Sequence, residues 1–162
     1  MQFTTEQYYR SARERIIEAN LLYHRQRYGL SIYVAGLSVE CLLRGFRRRR
    51  DPVFDSRHDL KVLFRESGIL RLHADRLERR GLSPEQIDQT IVEFAAAHDV
   101  VVRLWQNDFR FAGDAQIRGW LNALRAYHGV KGDVLKANCR RLLQAAQTIV
   151  DAGVLLWISR KK

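Results

Sequence analysis

Apolar residues recur along this chain at alternating steps of three and four, the period of helices whose one face is buried. Thr4-Thr5-Glu6-Gln7 fits a capping box, and Tyr9, Ala12, Ile16, Ala19 and Tyr23 follow at helical spacing, which predicts a first helix from about residue 5 to 25. Its other face carries Arg10, Arg13, Glu14 and Glu18. From Tyr28 to Leu43 the one strongly charged side chain is Glu40. A helix apolar nearly all round must be surrounded by neighbours, so this second helix is expected at the centre. It ends in Arg44-Gly45-Phe46-Arg47-Arg48-Arg49-Arg50, where cations meet the negative end of the helix dipole, and Asp51-Pro52 stops it. A third helix is predicted from roughly Asp59 to Arg65, and a further short segment from Leu70 to Arg80. Ser83-Pro84-Glu85-Gln86 opens a fourth long helix, whose inward face is Ile87, Ile91, Phe94, His98, Val101 and Trp105. After the irregular stretch 107–113, a fifth helix carries Ile117, Trp120, Leu121 and Leu124 inward. Asp133 caps the last helix, with an unbroken seam of Leu135, Cys139, Leu142, Ala146, Ile149, Gly153 and Leu156.

These elements predict an all-α, up-and-down bundle of four to five long helices plus short connecting helices, in a single domain spanning residues 1–162. Two prolines and ten glycines are too few for the turns of a β-sandwich or barrel. The seam of the last helix finds its partner within the bundle, and so many amphipathic helices also allow a homodimer along one face.

The formal net charge of +10 changes the picture, because the basic side is nearly all arginine, with lysine only at positions 61, 131, 136, 161 and 162. Arginine's planar fork suits phosphate and stacks on bases, which favours a polyanionic partner, although a GC-rich genome also inflates arginine over lysine. Cys41 and Cys139 lack the spacing of a zinc site or a disulfide framework and read as buried, reduced thiols of a cytoplasmic protein. The first residues have neither a basic start nor an apolar leader, and no apolar run approaches the ~20 residues that span a bilayer, so no membrane association is expected. No metal or other cofactor is implied.

Two stretches carry a family likeness: Tyr33-Val34-Ala35-Gly36-Leu37-Ser38-Val39-Glu40-Cys41-Leu42-Leu43-Arg44, and then Arg57-His58-Asp59-Leu60. Together they resemble the HEPN (higher eukaryotes and prokaryotes nucleotide-binding) family, in which a helix with an alanine-glycine start, a central glutamate and a basic residue one turn on is followed by His-Asp-Leu. The resemblance covers about residues 5 to 65. Beyond it only the helical plan agrees, with Trp105 and Arg110 echoing an aromatic-to-arginine feature of some relatives. What the resemblance implies is a helical bundle, usually dimeric, that cleaves RNA without metal, binds nucleotides or partners a small nucleotidyltransferase, in toxin-antitoxin and phage-defence systems. Cleaving members carry an arginine, four to six intervening residues, and a histidine. None of the five histidines here has an arginine at that distance upstream.

The candidate residues follow from charge and spacing. Glu40 and Arg44 lie one turn apart on a stripe with Tyr33, Gly36 and Arg47, either lining a polar cleft or forming a bundle ion pair. His58, beside Arg57, either caps a turn or accepts the 2′-hydroxyl proton in RNA cleavage, since histidine titrates in the range such chemistry needs. Arg125 and His128 are expected on one helix, with Arg118 two turns below Arg125, where they could hold a phosphate and move a proton. His128 also fits the half-buried face of Ile117, Leu121 and Leu124, and His98 reads as satisfied core. The catalytic candidates are therefore His58, His128, Arg125 and Arg110. Phosphate contact falls to Arg44, Arg47, Arg48, Arg49, Arg50 and Arg118, with Glu40 as a structural polar residue. Arg79-Arg80, Arg140-Arg141 and Arg160-Lys161-Lys162 extend the positive surface. Phosphate loops, nucleophile elbows, Cys-x-x-Cys and His-Glu-x-x-His motifs are all absent. The expected function is an RNA- or nucleotide-binding protein of defence or toxin-antitoxin type, with metal-independent endoribonuclease activity at a non-standard site. The other expectation is a non-catalytic subunit that docks a nucleotidyltransferase, an antitoxin or another effector.

Overall fold

The periodicity is realised as helices throughout the computed structural model, which describes residues 3–54 and 58–159. In chain order they are α1 (Thr5–His24), α2 (Tyr28–Arg50), α3 (Leu60–Ser67), α4 (Ile69–Arg79), α5 (Pro84–Leu104), a 3₁₀ turn at Asn107–Phe111, α6 (Asp114–Ala123) and α7 (Val134–Ser159). No strand occurs among the described residues. The four long helices are α1, α2, α5 and α7, so the expected bundle of long helices with short connections is what forms.

Local chemistry sets the ends. The Thr4 hydroxyl accepts from Gln7 N–H while the Gln7 side chain accepts from Thr4 N–H, and Ser83 and Gln86 repeat the arrangement at α5. Asp59 caps α3 through Lys61 and Val62 N–H, and Asp133 caps α7 through Leu135 and Lys136 N–H. Gly68, at φ 69°, breaks α3 from α4.

α2 is the central rod, packed most extensively on α1 and then on α7 and α3. By length and composition it alone among the described helices is apolar enough to cross a bilayer, which corrects the expectation that no such run exists. Yet 72% of its apolar stretch is buried inside the bundle, as befits a core helix. Gly153 of α7 meets the Leu42 side chain, so the two backbones approach closely along the predicted seam. At the other end Trp157 stacks on Tyr9, meets Phe46 edge-on, and donates its indole N–H to Glu6 at 3.0 Å. Cys41 and Cys139 are free and buried. Burial pushes both thiols up, Cys139 to about 11, which keeps them protonated at neutral pH.

Two local expectations fail. α6 ends at Ala123, and Arg125 takes a left-handed backbone with φ 54°, so Arg125 and His128 do not share a helix. Leu124 continued the apolar spacing, but the chain turns there because buried Asn138 donates its side-chain amide to Ala126 O at 3.0 Å and holds the turn against α7. Arg57 and Arg160-Lys161-Lys162 lie outside the described residues.

Candidate functional site

The predicted stripe on α2 is covered along its length by other elements. At its start the Trp105 indole lies against Gly36 and donates to Tyr33 O at 3.0 Å. In the middle, Glu40 is 1% exposed. Its Oε1 accepts from Arg44 Nε at 2.7 Å and from His58 Nδ1 at 2.7 Å. A bond this short to a carboxylate requires Nδ1 to carry the proton. The 3.5 Å approach of Arg44 Nη2 to the same nitrogen is therefore adjacency of charge and not a donated bond. Glu40 Oε2 is buried without a hydrogen-bond partner. Carboxylate, guanidinium and imidazole thus meet where α2 passes the segment leading into α3, joining the residues that carry the HEPN resemblance.

His58 is half exposed and opens onto a cleft of about 440 Å³. Because Glu40 occupies Nδ1, the nitrogen left for chemistry in the cleft is Nε2. Facing His58 across the cleft are Trp105, Gln106, Asn107 and Asp108, and Lys61 contributes a cation at its rim. Asp59 also lines it, but its carboxylate is spent on capping α3. Sequence reading missed Lys61, Asn107 and Asp108 as site residues. They reach the cleft only because Trp105 anchors the end of α5 on α2, a contact 72 residues distant that no local pattern announces.

The other candidates lie elsewhere. His128 sits exposed in the turn after α6, donating Nδ1–H to Arg125 O at 3.1 Å and stacking on Tyr127. Arg118 does not join Arg125: it forms a two-pronged pair with Asp133 at 2.7 and 2.9 Å. Arg118, bonding first, holds the Asp133 carboxyl down at about 2, and Asp133 in return raises the guanidinium. Arg110 lies in the 3₁₀ turn that brings Asn107 and Asp108 to the cleft but does not itself line it, and its guanidinium is 4.6 Å from the centre of the exposed Phe111 ring.

The arginine run at the end of α2 is largely engaged inside the fold. Arg47 pairs with Asp51 at 3.0 Å and with Glu66 at 3.1 Å, and lies over Phe54. Arg49 stacks on Trp157 at 4.2 Å, and Arg50 donates to Glu66 O at 3.1 Å. These side chains tie α3 and α7 to α2 and leave the run less able to track a phosphate backbone than its charge suggests. His98 is buried, donates to Leu60 O at 3.2 Å and stacks on Phe64, as the satisfied-core expectation held. Burial is the main cause that lowers its affinity for a second proton. Among the described residues no three His, Cys, Asp or Glu side chains gather as a metal site.

Comparison with protein-family models, with curated proteins and with solved structures finds no match for this chain. The functional reading therefore stands on the geometry above.

Proposed function

We propose that this chain is a cytoplasmic RNA-interacting protein of HEPN type, acting as a homodimer in a toxin-antitoxin or phage-defence setting, and that the His58 cleft is its metal-independent RNA-cleaving centre. The observation that carries this reading is the buried Glu40 carboxylate gripping Arg44 and the half-exposed His58 at one oxygen. A carboxylate on Nδ1 fixes the ring and stabilises it once protonated, the arrangement a proton-transferring histidine needs. His58 Nε2 takes the proton of a ribose 2′-hydroxyl and the 2′-oxygen bonds to phosphorus. The P–O5′ bond breaks and the departing 5′-oxygen takes up a proton from water, leaving a 2′,3′-cyclic phosphate and a 5′-hydroxyl end, while the protonated His58 returns its proton to solvent. Lys61 at the rim supplies a cation for the phosphate, Arg110 on the neighbouring 3₁₀ turn adds positive charge to the approach, and Arg44 adds it behind the imidazole. The missing arginine-to-histidine spacing is compensated in this scheme by convergence in space, since Arg44 and His58 come from different elements.

Incubating purified protein with end-labelled transfer and messenger RNA in EDTA tests the proposal. Cleavage leaving cyclic phosphate ends should appear, and should fall by about two orders of magnitude or more in His58→Ala, the scale of removing a proton-transfer group. Cleavage that His58→Ala leaves intact, or that needs a divalent metal, sinks it.

A second reading is a non-catalytic subunit that docks a nucleotidyltransferase or antitoxin. Ile17 and Leu21, one turn apart on the outer face of α1 and 60% and 56% exposed, favour it. Intact RNA together with a stable complex formed through α1, lost in Ile17→Asp, would decide for it.

A further inference from the structure

With the arginines of α2 largely engaged in the fold, cations without an ion pair among the described residues stand on another face of the molecule. A cleft of about 550 Å³ runs between the end of α1 and the first half of α7, and a second of about 670 Å³ continues it toward the turn before α7. The two share Tyr23, Arg140 and Gln144 and form one groove. Along it stand Lys131, Lys136, Arg140 and Arg141, all exposed. None of these four makes an ion pair among the described residues, and Arg141 only grazes Asn138 Oδ1 at 3.5 Å. The acids that border the groove do not cancel them. Asp133 is neutralised by Arg118, and Asp151 stands at the far end accepting from Gln147 at 2.8 Å.

Spacing and aromatic content narrow the ligand. Lys136, Arg140 and Gln144 succeed one another at four-residue steps, about 6 Å of helix rise each, so polar and cationic tips repeat along a line. At the junction Tyr23 packs against Tyr28 at 5.5 Å and His24 at 5.8 Å, an aromatic cluster beside the cations. A charged track with an aromatic cluster beside it is the chemistry that holds a flexible phosphodiester strand and offers a base a ring to stack on. We propose that this α1–α7 groove binds the backbone of single-stranded nucleic acid. The groove shares no lining residue with the His58 cleft, so the inference stands whether or not that cleft cleaves RNA.

The test uses a fluorescein-labelled dodecamer of deoxythymidine, which lacks the 2′-hydroxyl that the His58 chemistry requires, so binding is read apart from cleavage. Four phosphate contacts at about −0.7 each predict a slope of log affinity against log salt near −2.8. Replacing Lys136 and Arg140 together by glutamate should weaken binding by about tenfold or more. The milder Lys136→Gln and Arg140→Gln pair should bring the slope to about −1.4. Arg79→Gln with Arg80→Gln, away from the groove, should leave both quantities unchanged, and circular dichroism of each variant checks folding. The proposal is overturned if the groove variants bind as the parent does, if Arg79 and Arg80 matter equally, or if heparin or polyglutamate of matched charge binds more tightly than the oligonucleotide.

Discussion

At the scale of single residues, the site depends on a glycine that carries no chemistry. Gly36 lies under the Trp105 indole, and a Cβ there would collide with the ring at Cδ1, Cγ and Nε1. The ring has little room to retreat, because its N–H is bonded to Tyr33 O and Trp105 is 5% exposed. Gly36→Ala gains up to about 1 kcal/mol of helix preference and loses about 1–3 kcal/mol to overpacking, so the collision wins. The variant should be less stable by about 1–2 kcal/mol in urea titrations, and because Trp105 anchors the segment of residues 106–108, the His58 cleft should deform with it. Stability equal to or above that of the parent would show that the indole swings away freely. The sequence marked Gly36 as part of an alanine-glycine helix start, but the reason for it, an aromatic ring arriving from another helix, is a tertiary fact.

Among the elements, what was legible divides by range. Both capping boxes, the seam of α7 and the solitary Glu40 of α2 are local patterns, and each produced the helix end, packing face or buried polar group expected of it. The end of α6 was not legible, since Leu124 keeps the apolar spacing while Asn138, 12 residues beyond Ala126, pulls the chain into a turn. Nor was the fate of the arginine run, because its partners Glu66 and Trp157 belong to α3 and α7. The α6–α7 junction yields a pH prediction. The folded Asp133 carboxyl sits at about 2, below its ordinary value of 3.8. A depressed acid contributes stability that is present in full above the ordinary value and lost as pH falls through the folded one. Asp133→Asn keeps an N-cap side chain but cannot charge, and the pair is largely exposed, so the effect is modest. The gap in urea midpoint between parent and variant should be open at pH 6 and close progressively between about pH 4 and pH 2. A gap independent of pH would mean that the cap alone, and not the Arg118 pair, holds the junction.

For the whole molecule, one core cluster links α1, α2, α5 and α7 through Ile16, Leu42, Val101 and Leu142, while the sequence carries 28 cations against 18 anions. Compaction brings the surplus cations within a few Debye lengths of one another, so the folded state stores more self-repulsion than the unfolded chain. Added salt screens that repulsion. It also screens exposed pairs such as Arg118–Asp133, but such pairs contribute only about 0–1 kcal/mol each and the surplus acts over the entire surface. The net effect of raising sodium chloride from 50 to 300 mM should therefore be an unfolding temperature higher by about 3 °C, corresponding to roughly 1 kcal/mol in a chain of this size. The groove sharpens the expectation, because its four cations, none of them in an ion pair among the described residues, add to that repulsion locally. A bound single strand should relieve it beyond what salt does, so the oligonucleotide's stabilisation should shrink as salt rises while the salt effect alone grows. If salt instead lowers the unfolding temperature, the ion pairs outweigh the surplus and the positive groove is not a strained surface awaiting an anion.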